Sequence, residues 1–368
     1  MRESTDPQFG QYIEFNVEFN PTLQITAAEL VISIRGENST SVFPLTLDGQ
    51  NRAAFRYQTS EHGHIHAFKT IDYQYRLQLA DNQTASSPPY ELLYKDNRFN
   101  WYVEARSMFV IYWQEGNTVF AQKAFDTAQA SITAINQYID LQPLQPVHII
   151  IYQHSADLRD ALTLTGQSWV AGHADVDNQI AMVSIPPGPE HGLEMERQIP
   201  HEIAHIWLYQ ELGDDYARLP VWFSEGFASL AEFYPNPDYL QILQNAYETD
   251  TLLSMESLCD SFPQQTDQAM LAYAQAESFT RFLFNEYSAH GLTALKEAYA
   301  SGQTCDRGIR AALGRSLTQL ENNWRQATFN QNIATTAITS LVPWLILLLV
   351  VMVGPVLLLL LNQQTRRK

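Results

Sequence analysis

The stretch RQIPHEIAHIWLYQELGDDYARLPVWFSEGFASLAE, residues 197–232, contains the two short patterns that decide the fold and the chemistry of this chain. His201 and His205 are four residues apart, so on a helix their side chains lie about 40° apart around the axis and can bind one metal ion. Glu202 follows the first histidine, where a carboxylate can reach a water on the metal without binding the metal itself. Because five-residue patterns recur by chance, a third ligand is needed to support a metal site.

Glu225 is the candidate third ligand. The helix that carries the histidines is expected to end at Gly213, and Pro220 stands where the next helix, VWFSEGFASLAEF, begins. A short connection between two antiparallel helices would bring Glu225 beside the histidine pair. Zn²⁺ binds imidazole and carboxylate ligands, and a catalytic zinc site has three protein ligands and one open position. The alternative for Glu225 is a solvated surface acid, which its apolar neighbours disfavour.

The sequence HEIAH followed by LPVWFSEGFASLAE resembles the gluzincin metallopeptidases, in particular their aminopeptidase-like branch and the bacterial peptidase MA-like domains. The resemblance covers about residues 100–325 and is most specific over 197–235. It implies an enzyme that hydrolyses peptide or protein substrates. It also implies that His201, His205 and Glu225 bind Zn²⁺ and that Glu202 acts on the attacking water.

The resemblance further implies a tyrosine on a later helix that stabilises the oxyanion. Tyr273 is the first candidate and Tyr287 the second, and for either one a core aromatic is the alternative interpretation. In the wider family a β-hairpin lies over the site, and SWVAGHADVDNQIAMVS, residues 168–184, is the matching stretch. His173 in that stretch is therefore a candidate for contact with substrate.

One departure from the family pattern concerns the type of peptidase. Aminopeptidases of this branch carry a G-x-M-E-N motif whose acid binds the free α-amine of the substrate. No such motif precedes His201, and DNQIAMV stands in the comparable place without the acid. Endopeptidase activity is therefore the preferred interpretation. The alternative of another class is a surface adhesion or binding protein whose peptidase domain has lost activity.

The first part of the chain has the pattern of a β-sandwich. Apolar and polar residues alternate through YIEFNVEFN (12–20) and again through IDYQYRLQL (71–79), as in half-buried strands. Short strands separated by turn residues predict an immunoglobulin- or fibronectin-like domain over residues 1–96. HGHIH (62–66) could bind a metal if extended, but a loop or strand with solvated rings is the expected structure.

Residues 97–328 are expected to form an α+β metallopeptidase domain. MFVIYWQ (108–114) and VHIIIYQ (147–153) read as strands, and an amphipathic helix is predicted between them. From about Glu190 to Trp324 the pattern is mostly helical. The predicted architecture is therefore a multidomain chain: a β-sandwich, an α+β gluzincin-like domain and a C-terminal transmembrane helix.

The transmembrane prediction rests on residues 341–361, which carry no charge and as a helix would span about 31 Å, enough to cross a bilayer and contact membrane lipid. Residues 329–340 would form a stalk, and the basic tail, 362–368, would be cytoplasmic, placing the catalytic domain outside the cell. The N-terminus has no hydrophobic leader. Either a signal peptide is missing from this chain, which we favour, or the protein is tail-anchored and faces the cytoplasm.

Charge and cysteine content limit the partners further. The formal net charge is −18, and a polyanion of that size repels phosphate backbones, so nucleic acid is not an expected partner. The two cysteines, Cys259 and Cys305, have no CxxC spacing, which argues against a thiolate zinc site. In an extracellular domain they can form a disulfide, and two buried free thiols are the alternative.

Overall fold

The computed structural model describes residues 1–162 and 172–329. The strands in this part of the chain are β1 Arg2–Gln8, β2 Tyr12–Glu18, β3 Ile25–Ile34, β4 Thr40–Leu45, β5 Arg52–Gln58, β6 Thr70–Leu79, β7 Thr84–Ser86, β8 Tyr90–Leu93, β9 Tyr102–Arg106, β10 Phe109–Trp113, β11 Val147–Tyr152, β12 Gly172–Asp175 and β13 Ile180–Ser184. The helices are α1 Thr59–His62, α2 Thr118–Asn136, α3 Ser155–Ala161, α4 His191–Leu212, α5 Val221–Ala231, α6 Tyr239–Glu248, α7 Thr266–Ala300, α8 Cys305–Leu313 and α9 Leu317–Phe329.

Strands β1 to β8, which we call the N-terminal β region, form two antiparallel sheets. One sheet has the order β1-β2-β5, and the other has the order β4-β3-β6-β7 with β8 also paired to β6. Apolar side chains of both sheets meet in one core, for example Phe15 against Tyr73 with ring centroids 5.1 Å apart. Alternating burial along β2 and β6 agrees with the alternation seen in their sequences.

The third sheet is mixed and has the order β12-β13-β11-β10-β9. Strands β10, β11 and β13 pair in parallel, and β9 and β12 pair antiparallel at the two edges. The three central strands are buried on both faces, which explains their nearly continuous apolar sequences. One face packs against helices: Ile111, Ile149 and Val183 belong to the core that also contains Ile203 of α4 and Phe227 of α5.

The opposite face of this sheet packs against the N-terminal β region. Tyr112, Ile150 and Met182, which alternate with the helix-facing residues, lie in the same buried cluster as Phe68 and Ile71. Tyr112 and Phe68, for example, meet edge to face with centroids 5.3 Å apart. The N-terminal β region therefore covers one face of the third sheet, while α2 and α4 cover the other.

Helix α5 packs very closely against α7. A Cβ built on Gly226 would lie 2.1 Å from Thr280 Oγ1 and 2.5 Å from the carbonyl oxygen of Ala276, so only glycine fits there. A disulfide between Cys259 and Cys305 lies beside the same helix, and the Trp222 indole N–H donates to Cys305 Sγ at 3.2 Å. Of the two possibilities that the sequence left open, a disulfide or two buried free thiols, the structure has the disulfide.

The sequence did not predict every element. Strand β1 was missed because RESTDPQ contains Pro7 and lacks a clear apolar alternation; as an edge strand it tolerates the missing N–H. The coarse prediction, a multi-sheet N-terminal region followed by a largely helical half, agrees with the fold. An immunoglobulin- or fibronectin-like topology stays a prediction, as do the domain limits.

The predicted transmembrane segment, 341–361, lies outside the described residues, as does the cytoplasmic tail and nearly all of the stalk. Within residues 1–162 and 172–329, no helix combines the length and the apolar character needed to cross a bilayer.

Replacing Gly226 with alanine tests the close contact of α5 and α7. We expect Gly226→Ala to lower the free energy of unfolding by about 1–2 kcal/mol, because overpacking against a backbone carbonyl costs about 2–3 kcal/mol and the better helix propensity of alanine returns about 1 kcal/mol. Urea unfolding measures the change. Gly188→Ala is the control, since a Cβ on Gly188 meets nothing within 4 Å; equal stability of the two variants would contradict the packing argument.

Candidate active site

Helices α4 and α5 bring the three candidate metal ligands together. His201 and His205 lie one turn apart in α4, and Glu225 lies in the second turn of α5. The Glu225 Oε2 atom is 3.4 Å from His201 Nε2 and 3.5 Å from His205 Nε2. One candidate ligand atom of each residue lies within 4.8 Å of the other two. The helix ends follow the sequence signals, because α4 ends before Gly213 and α5 begins after Pro220.

Each imidazole is oriented by a hydrogen bond on its other ring nitrogen. His201 Nδ1 lies 2.9 Å from Glu232 Oε1, and His205 Nδ1 lies 3.0 Å from the Tyr216 hydroxyl. In the tautomer with a proton on Nδ1, these nitrogens donate and both Nε2 lone pairs face Glu225. Partners of this kind fix the ring orientation of a metal-binding histidine and raise its basicity.

Pro200 explains how Glu232 reaches His201. It lies inside α4, where a residue without an N–H leaves the carbonyl of the residue four positions earlier, Glu196, without its helical donor. The Glu196 carbonyl instead accepts the backbone N–H of Phe233 at 3.0 Å. This bond ties the chain just after α5 to the second turn of α4. Glu232, the preceding residue, is thereby held beside His201.

Glu202 is buried beside the three candidate ligands, with 6% of its surface exposed. Strand β12 begins directly over it, since a Cβ on Gly172 would lie 2.2 Å from Glu202 Oε1. A larger residue at position 172 would therefore displace the carboxylate. Burial raises the pKa of Glu202, and the neighbouring imidazoles of His201 and His205 offset only part of that rise.

The cleft over the site consists of two adjoining cavities of about 270 and 400 Å³. Gly172, His201, Glu202 and Tyr273 line both cavities and therefore mark the centre of the cleft. The negative charge of Glu225, together with burial, raises the pKa of Tyr273 well above its usual value, so its phenol keeps its proton. Tyr287 lines a different cavity, directly before the break in α7 at Ser288.

His173 lies on β12 and lines the larger cavity, as the position of the hairpin in the sequence suggested. Burial lowers the pKa of His173 to about 4, and His66, Lys69 and His205 contribute to that fall against the opposing effect of Asp175. His173 is therefore a neutral donor or acceptor in this wall of the cleft at neutral pH. Of the three histidines in HGHIH, His62 and His64 are exposed and His66 is half-buried.

The donor set fits a zinc ion. Two imidazole nitrogens and one carboxylate oxygen converge, and both imidazoles have their second nitrogen hydrogen-bonded; this is the ligand composition of catalytic zinc sites with two histidines and one glutamate. Burial raises the pKa of Glu225, but the interactions with His205 and His201 lower it by more, so the carboxylate is ionised.

Sequence reasoning missed Glu232 and Tyr216. Glu232 stands seven residues after Glu225, two helical turns on, and this spacing was the available signal for it. Tyr216 lies in a 3₁₀ turn, Gly213–Arg218, that the sequence presented only as a connection. The identity of a His Nδ1 partner depends on how that turn folds back on α4, which local sequence does not specify.

Comparison with protein families gives a match. A family model described as "Peptidase MA superfamily" matches residues 127–330, which is more than half of the chain. No curated protein matches the chain significantly.

Three solved structures show low overall similarity to this chain. An M1 zinc metallopeptidase mutant from Deinococcus radiodurans, bound to a Tyr-Ser-Ala substrate, has a TM-score of 0.34 and 12% identity, with 84% of this chain and 62% of that chain covered. A polysaccharide deacetylase from Bacillus cereus has a TM-score of 0.21 and 8% identity over 46% of this chain and 55% of that chain. A bromide derivative of BhCBM56 has a TM-score of 0.20 and 6% identity over 25% of this chain and 88% of that chain.

This chain therefore spans less than two thirds of the metallopeptidase and of the deacetylase. With TM-scores below 0.5, the three structures establish neither fold nor function for it.

Removing the Glu232 carboxylate tests its role beside His201. We expect Glu232→Ala to weaken Zn²⁺ binding by about 10- to 100-fold, the usual effect of losing a partner that orients a metal-binding histidine. The Zn²⁺ affinity of Glu232→Gln, which keeps an oxygen acceptor, should lie between those of Glu232→Ala and the wild type. Competition with a chelator measures the affinity, with Glu248→Ala on the exposed side of α6 as control. An unchanged affinity in Glu232→Ala would show that His201 needs no such partner.

Proposed function

Because this chain belongs to the Peptidase MA superfamily, we propose that it is a zinc-dependent metallopeptidase whose active centre is formed by α4, α5 and β12. The observation that supports this most directly is the convergence of His201, His205 and Glu225, within 4.8 Å of one another, beside the buried carboxylate of Glu202. His201, His205 and Glu225 would hold the ion. When bound, zinc supplies the Lewis acidity that activates water and polarises a peptide carbonyl.

The remaining steps belong to side chains of this chain. The Glu202 carboxylate accepts the proton of the attacking water and then donates it to the nitrogen of the leaving amine. Burial raises the pKa of Glu202, the direction that favours a carboxylate which has to bind a proton during the reaction. The Tyr273 phenol, held in its protonated form at the centre of the cleft, donates a hydrogen bond to the developing oxyanion.

We propose endopeptidase rather than aminopeptidase activity. An aminopeptidase needs a carboxylate free to bind the α-amine of its substrate, and no acid occurs between Asp160 and Asp175 in the sequence. Asp175 at the end of β12 is buried and paired with Lys69. Among the described residues that line the cleft, the acids are Glu202, Glu225 and Glu232, and the proposed chemistry uses all three.

The cellular placement is also a proposal. The uncharged stretch 341–361 and the basic residues that follow it support a single membrane anchor with a cytoplasmic tail and an extracellular catalytic domain. The Cys259–Cys305 disulfide is in keeping with an oxidising compartment. For the N-terminal β region we retain the proposal of an immunoglobulin- or fibronectin-like domain, which the two packed antiparallel sheets support.

The variant Glu202→Gln separates metal binding from hydrolysis. We expect zinc content equal to wild type, because Glu202 is not among the three ligands, and a fall in kcat of about 10²- to 10⁴-fold, because the amide cannot accept the proton of water. Metal analysis and turnover of a quenched peptide library by the full chain measure both. The matched control is Glu286→Gln on an exposed part of α7. Undiminished turnover in Glu202→Gln would exclude Glu202 as the base.

Blocked peptides distinguish the two peptidase types. We expect the full chain with zinc to cleave internal bonds of peptides that are N-acetylated and C-amidated, at rates similar to those for the same peptides with free termini. Mass spectrometry of the products identifies the bonds cleaved. Stepwise removal of single residues, abolished by N-acetylation, would instead identify an aminopeptidase. Cleavage of neither peptide set by zinc-loaded protein would favour the binding-protein alternative.

A further inference from the structure

The tip of the β12–β13 hairpin is bound to the N-terminal β region by polar contacts. Lys69 Nζ lies 2.9 Å from Asp175 Oδ2, at the end of β12. On the other side of the turn, Asn178 Oδ1 accepts the backbone N–H of Thr70 at 3.1 Å, and Asn178 Nδ2 donates to the carbonyl of Arg35 at 3.2 Å. The hairpin that covers the cleft is thus held by residues more than a hundred positions earlier in the chain.

The ion pair in this contact is largely removed from water. The side chains of Lys69 and Asp175 are 13% and 7% exposed. Both side chains have a further hydrogen bond, since Lys69 Nζ donates to the Arg35 carbonyl and Asp175 Oδ1 accepts from the side chain of Asn178. Removing one partner of such a pair leaves the other charge buried and uncompensated, so the contact tolerates substitution poorly.

Gly36 also lies close to the side chain of Asp177 at the same place. Gly36 has φ +85°, and a Cβ there would lie 2.8 Å from Asp177 Oδ2. Asp177 in turn accepts a hydrogen bond from the Tyr209 hydroxyl, and the Tyr209 ring packs edge-on against Tyr216 with centroids 6.0 Å apart. Because the Tyr216 hydroxyl bonds His205 Nδ1, a continuous series of contacts leads from the N-terminal β region to a candidate metal ligand.

Strand β12 connects this contact with the centre of the cleft. Its first residue, Gly172, lies against Glu202, the following residues His173 and Ala174 line the larger cavity, and its last residue, Asp175, is the one that Lys69 binds. In the described part of the chain β12 is the terminal strand of its sheet, and a strand of this kind can bind an extended peptide through its backbone. A shift of its Asp175 end would move the wall against which substrate lies.

We propose that Lys69 is a positioning residue: through its ion pair with Asp175, the N-terminal β region holds β12 at the distance from Glu202 that substrate binding requires. This inference rests on the proposed peptidase function. It assigns the N-terminal β region to the catalytic unit, where it supports one wall of the cleft. Lys69 itself does not line the cleft, so it acts on substrate only through β12.

The test compares three full-chain variants. Lys69→Met removes the ammonium group, Lys69→Arg retains a cation, and Arg76→Met is the matched control, since Arg76 on β6 forms an exposed ion pair with Glu29. Hydrogen exchange followed by mass spectrometry reports on residues 172–184 without any need for activity. We expect at least tenfold faster exchange there in Lys69→Met, a smaller effect in Lys69→Arg and none in Arg76→Met.

Kinetics on a quenched peptide separate positioning from a merely structural role. We expect the KM of Lys69→Met to be at least fivefold higher than that of the wild type, while kcat and zinc content change less than twofold. The KM of Lys69→Arg should lie between those of Lys69→Met and the wild type. If Lys69→Met does not fold, the same exchange and kinetic measurements are made on the double variant Lys69→Met/Asp175→Asn, which buries no unpaired charge.

Two results would overturn the inference: unchanged exchange in the hairpin, or faster exchange with an unchanged KM. If wild-type protein hydrolyses no peptide, the proposed function fails, and the exchange data by themselves then show whether Lys69 holds the hairpin.

Discussion

The orientation of two imidazole rings is the constraint on which the rest of the site depends. A histidine ring presents Nε2 to a neighbour only when its χ angles are fixed, and the Nδ1 bonds to Glu232 and Tyr216 fix them here. The first of these bonds depends in turn on Pro200, because the carbonyl that Pro200 leaves without its helical donor binds the backbone just after α5. A residue that usually disrupts a helix therefore ties the two site-forming helices together.

The same reasoning extends to the third sheet. Its central strands are buried on both faces, so each face of the sheet must pack against another part of the protein. Alternate residues of these strands therefore belong to two different hydrophobic cores. Helices α2 and α4 pack on one face, and α4 carries His201 and His205. The N-terminal β region packs on the other face and contacts the hairpin whose edge strand lies over Glu202. Because the elements on both faces of the sheet reach the cleft, the geometry of the site depends on the folding of the whole described chain.

Local sequence rules were sufficient for the parts of the site that local geometry determines. The i and i+4 spacing places His201 and His205 on one face of a helix, and Gly213 and Pro220 mark the ends between which the chain turns back toward Glu225. The contacts of Tyr216 and Lys69 could not be predicted from local sequence rules. Tyr216 depends on the fold of a 3₁₀ turn, and Lys69 meets Asp175 across 106 positions of sequence through tertiary packing alone. Strand β1 was missed because edge strands tolerate proline and irregular alternation.

The charge at the site also fits a bound cation. The side chains of Glu225, Glu232 and Glu202 are buried or nearly so, and an uncompensated buried carboxylate is costly. Arg197, which lines the same cleft, is bonded to Glu194. Burial lowers the pKa of His201, but Glu225 and Glu232 raise it well above its usual value, so without an ion a proton on His201 compensates part of the charge. With an ion on their Nε2 atoms, the two histidines are neutral. A divalent ion between Glu225 and the imidazoles would compensate two of the three charges. Burial raises the pKa of Glu202, which favours the form of this side chain that carries a proton, as its proposed part in proton transfer requires.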